Sequence, residues 1–172
     1  MYTADRQACL IFAAGIQHGQ HVVRILREQH NVECGFICGE TPSGEREELL
    51  DRFRGNSSNG LFRHGPLKFL CNGNVLTTGF DAPPIDCVVL LRPTMSAGLY
   101  YQMVGRGFRL HPGKQNCLIL DYGGNVLRHG PVDQIKVAAR GERGAPVAPA
   151  KQYPKRHPVI AASYPDRADC EH

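Results

Sequence analysis

Residues 101–109 read Tyr-Gln-Met-Val-Gly-Arg-Gly-Phe-Arg, with Gln102, Arg106 and Arg109 at i, i+4 and i+7. A helix with that spacing presents one amide and two guanidiniums along a single face. Two planar guanidiniums converging with an amide form a fork suited to phosphate oxygens. Gly105 and Gly107 would each cost a helix about 1 kcal/mol relative to alanine. Placed beside two arginines, they point to close approach of another group to the backbone. The plainer alternative is a solvated basic helix face whose glycines end the helix. A dinucleotide-binding reading of Gly105-x-Gly107 fails, because Leu110 stands where a third glycine belongs and no strand directly precedes it.

A second segment, residues 75–83, reads Val-Leu-Thr-Thr-Gly-Phe-Asp-Ala-Pro. Thr77 and Thr78 offer hydroxyls, Gly79 an unobstructed backbone N–H, and Asp81 a carboxylate able to hydrogen-bond a sugar hydroxyl. In isolation the string also fits a strand-to-helix turn with Asp81 as the cap. Its distance from the arginine segment is what makes it specific.

Alternating elements are needed to hold these groups. Short β-branched and apolar runs at residues 9–13, 32–38, 67–71, 87–91 and 117–121 read as strands. Residues 20–30 have a helical period, with Val22, Val23, Ile25 and Leu26 opposite Arg24, Arg27 and Glu28. Ser43 is expected to cap a helix that buries Leu49, Leu50 and Phe53 and stops near Gly55. Its capping box is incomplete, because Arg46 stands at the third position. A further helix is expected over residues 94–106, and residues 56–65 are expected to form an exposed loop. Strands interleaved with helices imply βαβ units and a doubly wound, mainly parallel α/β sheet with helices on both faces. Ligands of such sheets bind at the carboxyl ends of the strands, and residues 75–83 follow one of those ends.

The 172 residues suffice for one domain with a buried core. No apolar run is long enough to span a bilayer and no leader pattern opens the chain, which argues for a cytoplasmic protein. A net charge of +4 permits nucleic-acid contact without proving it. Seven cysteines contain no Cys-x-x-Cys pair. All but Cys38 and Cys170 lie in or beside β-like apolar runs and read as reduced, buried thiols. Cys34 and Cys38 have strand residues between them and no second pair, so no metal site is read there. After Val137 the composition turns to proline, glycine and scattered basic residues, so residues 138–172 read as a linker or tail. A sharper alternative makes Cys170 the start of a zinc-binding cluster.

Taken together, residues 10–18, 39–46, 75–83 and 102–109 resemble motifs IV, IVa, V and VI of superfamily 2 DEAD/DEAH-box helicases, in order and at ordinary intervals. Leu110-His-Pro-Gly-Lys114 and Leu120-Asp-Tyr-Gly-Gly-Asn125 resemble the RadD-type bacterial and phage branch. This resemblance covers about residues 7–137, and it implies a RecA-like helicase C-terminal domain over 1–137. It makes Arg109 the arginine finger, Arg106 a phosphate-sensing arginine and Gln102 their support. Gly79 and Asp81 would sense the nucleotide, while Thr77, Thr78, Gly15, His18 and Thr41 would lie along the phosphodiester backbone of DNA. ATP and magnesium would be gripped mainly by an N-terminal RecA-like lobe, since no G-x-x-x-x-G-K-[ST] loop or Asp-Glu box occurs here. The chain therefore reads as part of a longer helicase or translocase, inactive alone, with no cofactor held tightly. Two alternatives are a non-catalytic nucleic-acid-binding module and the translocating part of a restriction system. The motor reading requires the two guanidiniums to face a cleft that a second lobe closes; it fails if they point into solvent on the face opposite the strand ends or are locked to carboxylates of their own chain.

Overall fold

A computed structural model describes residues 3–55, 65–74, 85–109, 111 and 114–132. Strand β1 (Cys9–Phe12) is followed by α1 (Ile16–His30), β2 (Cys34–Cys38), α2 (Ser43–Phe53) and β3 (Phe69–Gly73). Then come β4 (Cys87–Leu90), α3 (Ala97–Gly105), a 3-10 turn (Arg106–Phe108), β5 (Leu118–Asp121) and α4 (Asn125–His129). The strands form one sheet in the order β2-β3-β1-β4-β5. Every pairing is parallel.

Parallel strands connected by helices are covered on both faces, so their sequences read as continuous apolar runs. Leu10, Phe12, Leu70, Val88 and Ile119 point to one face, where Leu50 and Phe53 of α2 and Tyr100, Met103 and Val104 of α3 cover them. Cys9, Ile11, Cys71, Cys87 and Val89 point to the other, covered by Val23 and Leu26 of α1. The layering follows from chain direction. The step from β1 to β2 runs one way across the sheet and the later steps run back, so right-handed crossovers put α1 on one face and α2 and α3 on the other.

Local chemistry sets the element ends. Helix α1 stops at Asn31 in the left-handed region (φ 51°), where the Val32 N–H donates to the Leu26 carbonyl at 2.8 Å. Ser43 is the first helical residue of α2 rather than its cap; Pro42 holds the cap position, with no side-chain bond to the first turn. Helix α3 starts at residue 97 rather than 94, because the Thr94 hydroxyl accepts from the Ser96 N–H at 3.0 Å and the Ser96 hydroxyl accepts from the Leu99 N–H at 3.2 Å. The apolar period anticipated neither α4 nor the turn before it, both too short for a period to register. The boundary expected at 137/138, the tail with Cys170 and the loop at 56–64 lie outside the described residues.

Candidate nucleotide and nucleic-acid sites

Helix α3 returns antiparallel to the strands across the sheet face, so its first residues lie at the carboxyl edge and its last at the amino edge. Its end marks two corrections to the single helical face expected of Gln102, Arg106 and Arg109. The helix closes at Gly105, and Arg109 is extended (φ −62°, ψ 130°), so the three residues lie on successive parts of a helix, a tight turn and an extended segment. The turn also lies at the amino edge of β4 and β5, opposite the strand ends where the sheet was expected to bind ligands. Gly107 fixes that placement. A Cβ there would lie 2.3 Å from Cys117 Sγ and 3.0 Å from Val88 Cγ2, so the close approach is by this domain's own sheet.

Arg106 is buried (7% exposed), whereas Gln102 and Arg109 are exposed. Burial draws the Arg106 pKa down, and the neighbouring Arg109 charge draws it down further. Two guanidiniums held near one another in partly desolvated surroundings favour an anion between or beside them. Lys114 braces the turn. Its Nζ donates to the Gly107 carbonyl, and to the Arg109 carbonyl at 3.1 Å. Burial lowers its pKa as well. The role of this lysine was not apparent from the sequence; the cue was a lysine shortly after the turn, able to reach carbonyls left open at a helix end.

Gly15, His18 and Thr41 lie at the carboxyl edge. Gly15 is the extended residue before α1, and the exposed His18 accepts from the Ala14 N–H through Nδ1 at 3.2 Å. The Thr41 hydroxyl accepts from the Cys38 N–H at 2.9 Å and faces Cys38 Sγ at 3.6 Å, so it is engaged within its own turn. Cys38 is itself buried, unlike the expectation from sequence. Between these two points β3 ends at Gly73, and the side chain of the next residue, Asn74, accepts from Arg92 Nη1. Because β1 lies between β3 and β4, that bond spans the end of β1. Thr77, Thr78, Gly79 and Asp81 lie outside the described residues. The structure thus gathers Gly15, His18 and Thr41 along one edge and Gln102, Arg106 and Arg109 towards the other.

A polar hub ties the β4 and β5 ends together. Buried Asp121 accepts from the Gly123 N–H (3.1 Å), Asn125 Nδ2 (3.0 Å) and the Val126 N–H (2.7 Å). Asn125 in turn donates to the Arg92 carbonyl at 2.9 Å and accepts from the Thr94 N–H at 2.8 Å. Gly124 is left-handed (φ 67°), and a Cβ on Gly123 would lie 2.7 Å from the Arg92 carbonyl oxygen. Asp121, Gly123, Gly124 and Asn125 of the Asp-Tyr-Gly-Gly-Asn string are therefore structural: they set the loop that launches α3.

Residues 2–111 match the family described as "Helicase conserved C-terminal domain". The chain belongs to that family. Among curated members, it is 37% identical over 127 residues to the "Putative mitochondrial ATP-dependent helicase irc3" of Schizosaccharomyces pombe, covering 74% of this chain and 19% of that protein. It is 31% identical over 118 residues to the "Putative ATP-dependent helicase IRC3" of Saccharomyces cerevisiae, covering 69% and 16%. This helicase C-terminal domain therefore spans less than a fifth of the length of those relatives. A fragment of a putative HsdR subunit of a type I restriction enzyme from Vibrio vulnificus superposes with a TM-score of 0.58 at 27% identity, covering 76% of this chain and 26% of that one. The C-terminal domain of the DEAD-box protein Dbp5 superposes with a TM-score of 0.54 at 22% identity, covering 70% and 63%, and shares the RecA-like fold. No described helix is long and apolar enough to cross a membrane.

Proposed function

We propose that this domain is the second motor lobe of an ATP-dependent superfamily 2 DNA helicase or translocase. The observation that carries the reading is the braced turn at the amino edge. It holds a buried Arg106 beside an exposed Arg109, inside a family whose curated relatives here are named ATP-dependent helicases. Arg109 is exposed on the side opposite the strand ends, where the sequence reading required that a finger not be; that requirement was too strict, because a finger need not lie at the carboxyl edge of its own sheet. The phosphates are cradled by the other lobe, and any edge that lobe approaches can supply the guanidinium.

In this reading Arg109 reaches the γ-phosphate, Arg106 senses the phosphates from its buried position, and Gln102 supports them. The donor set suits a polyphosphate, whose transferring oxygens gather charge that guanidiniums stabilise. ATP supplies the phosphoryl group when bound; the N-terminal RecA-like lobe holds most of it and the magnesium. Gly79 and Asp81 contribute to nucleotide sensing. Gly15, His18 and, through its backbone, Thr41 follow the phosphates of DNA along the carboxyl edge, and Thr77 and Thr78 contribute further phosphate contacts, giving sequence-independent and salt-sensitive binding.

The test joins this domain to its N-terminal lobe in the parent protein. DNA-stimulated ATP hydrolysis is expected from the two-lobed protein and not from this chain alone. Arg109→Ala should then lower kcat by about 10³–10⁵-fold while ATP binding stays within a few fold. Equal loss of both would end the finger assignment. A translocase of a restriction system is the second reading, favoured by the likeness to the HsdR fragment. A non-catalytic binding module has no evident use for a buried arginine held against a second one.

A further inference from the structure

Among the described residues, five large hydrophobic side chains are exposed, and three of them lie near the carboxyl edge: Met95 and Tyr122 on two loops and Leu127 on the short helix α4 that follows the second. Singly exposed apolar residues are ordinary. Three on segments joined by one buried hub are not scattered. Tyr122 is 64% exposed and Met95 82% exposed. The Tyr122 N–H donates to the Leu90 carbonyl at 2.9 Å, which seats it at the end of β4. Asn125 bonds both loops, and Arg128 Nη1 and His129 Nε2 reach the Thr94 carbonyl at 3.4 and 2.7 Å. The platform is therefore held in place before any ligand arrives.

Its electrostatics favour a polyanion. The first loop contributes Arg92 and α4 contributes Arg128, against one carboxylate, Asp121, which is buried and already accepts three hydrogen bonds. Along the edge the order runs from Thr41 through Asn74 and Gly15 to Arg92 and Tyr122, which follows the strand order. Four inter-strand steps make this track about 19 Å long. Its first part offers polar and backbone groups suited to phosphates, and its last part offers an aromatic face and a thioether.

We infer that the β4–β5 end of this edge is a stacking platform for the unpaired bases of a single-stranded nucleic acid, with Tyr122 the main stacking surface and Met95 beside it. The inference rests on the nucleic-acid track proposed above and extends it from phosphates to bases. It implies no reading of sequence, because every base has a π-face to stack. It does imply a preference for unpaired strands, whose bases are free to reach the ring.

Binding of labelled oligonucleotides to this chain, followed by fluorescence anisotropy, tests it. The probes are a single-stranded DNA, the same sequence as RNA, an abasic DNA strand of equal length and a blunt duplex. The chain should bind the ordinary single strands at least about fivefold more tightly than the abasic strand, the low end for one stacked base. Tyr122→Ala should erase that preference, Tyr122→Phe should keep it, and Met95→Ala should reduce it. None of these changes should alter the melting temperature or the salt dependence of abasic-strand binding. The DNA and RNA arms distinguish the two sources of unpaired bases. An unchanged preference in a folded Tyr122→Ala chain overturns the platform. Equal binding of ordinary and abasic strands by the unaltered chain overturns it too while leaving the phosphate track standing. Absence of binding to every probe overturns both.

Discussion

Asn125 is fully buried and satisfies groups from three places at once: the Arg92 carbonyl, the Thr94 N–H and the Asp121 carboxylate. Replacing it with alanine leaves those groups desolvated and unmatched. Leaving a buried polar group without a partner costs about 1–3 kcal/mol. Asn125→Ala should therefore lower stability by about 2–4 kcal/mol in urea unfolding; a loss below about 0.5 kcal/mol would remove its role as hub. The buried thiols make a second residue-scale prediction. Burial raises Cys71 and Cys117 from the ordinary 9.0 to about 12. A raised pKa favours the neutral thiol in the folded state, so its stabilisation is whole below pH 9 and is lost as the pH rises towards 12. By pH 10 that loss is on the order of 1 kcal/mol per thiol. Unfolding midpoints at pH 7 and pH 10 should fall further apart in the unaltered chain than in Cys71→Ala.

At the scale of elements, the fit between helix α3 and the sheet depends on Gly107. A methyl group there meets Cys117 Sγ at 2.3 Å, and such overpacking costs about 1–3 kcal/mol. Gly107→Ala should destabilise by that amount. Adding Cys117→Ala should recover part of it in a double-mutant cycle, since the closest clash is with the sulfur; strict additivity would show that the clash is relieved elsewhere. The same element marks where sequence reasoning succeeded and where it stopped. The strands were legible because doubly buried parallel strands are written as unbroken apolar runs, and the two-sided helix layering followed from their alternation. The arginine spacing was legible too. Placing Arg109 on one helical face with Gln102 and Arg106 was the error, because nothing in a 3.6-residue period announces that a glycine pressed against a sheet will tighten the last turn. The β5–α4 hub was missed for a related reason: its glycines and asparagine act through partners about 30 residues away, which no local pattern displays.

At the scale of the molecule, the order of chemical groups along the chain does not predict the edge on which each lies. The β1 and β2 ends that hold Gly15, His18 and Thr41 are at one rim of the sheet, and the turn with Arg106 and Arg109 is at the other. Strands of four or five residues separate the two by about 13–17 Å. No side chain bridges such a gap, and a close-packed core between them has little compliance to lend. If the proposed sites hold, whatever a phosphate does at one rim must reach the other as displacement of the whole body. In the proposed motor the domain would work as a stiff crosspiece: a few degrees of tilt about Arg109 would swing the opposite rim, and the length of the strands would set the stroke.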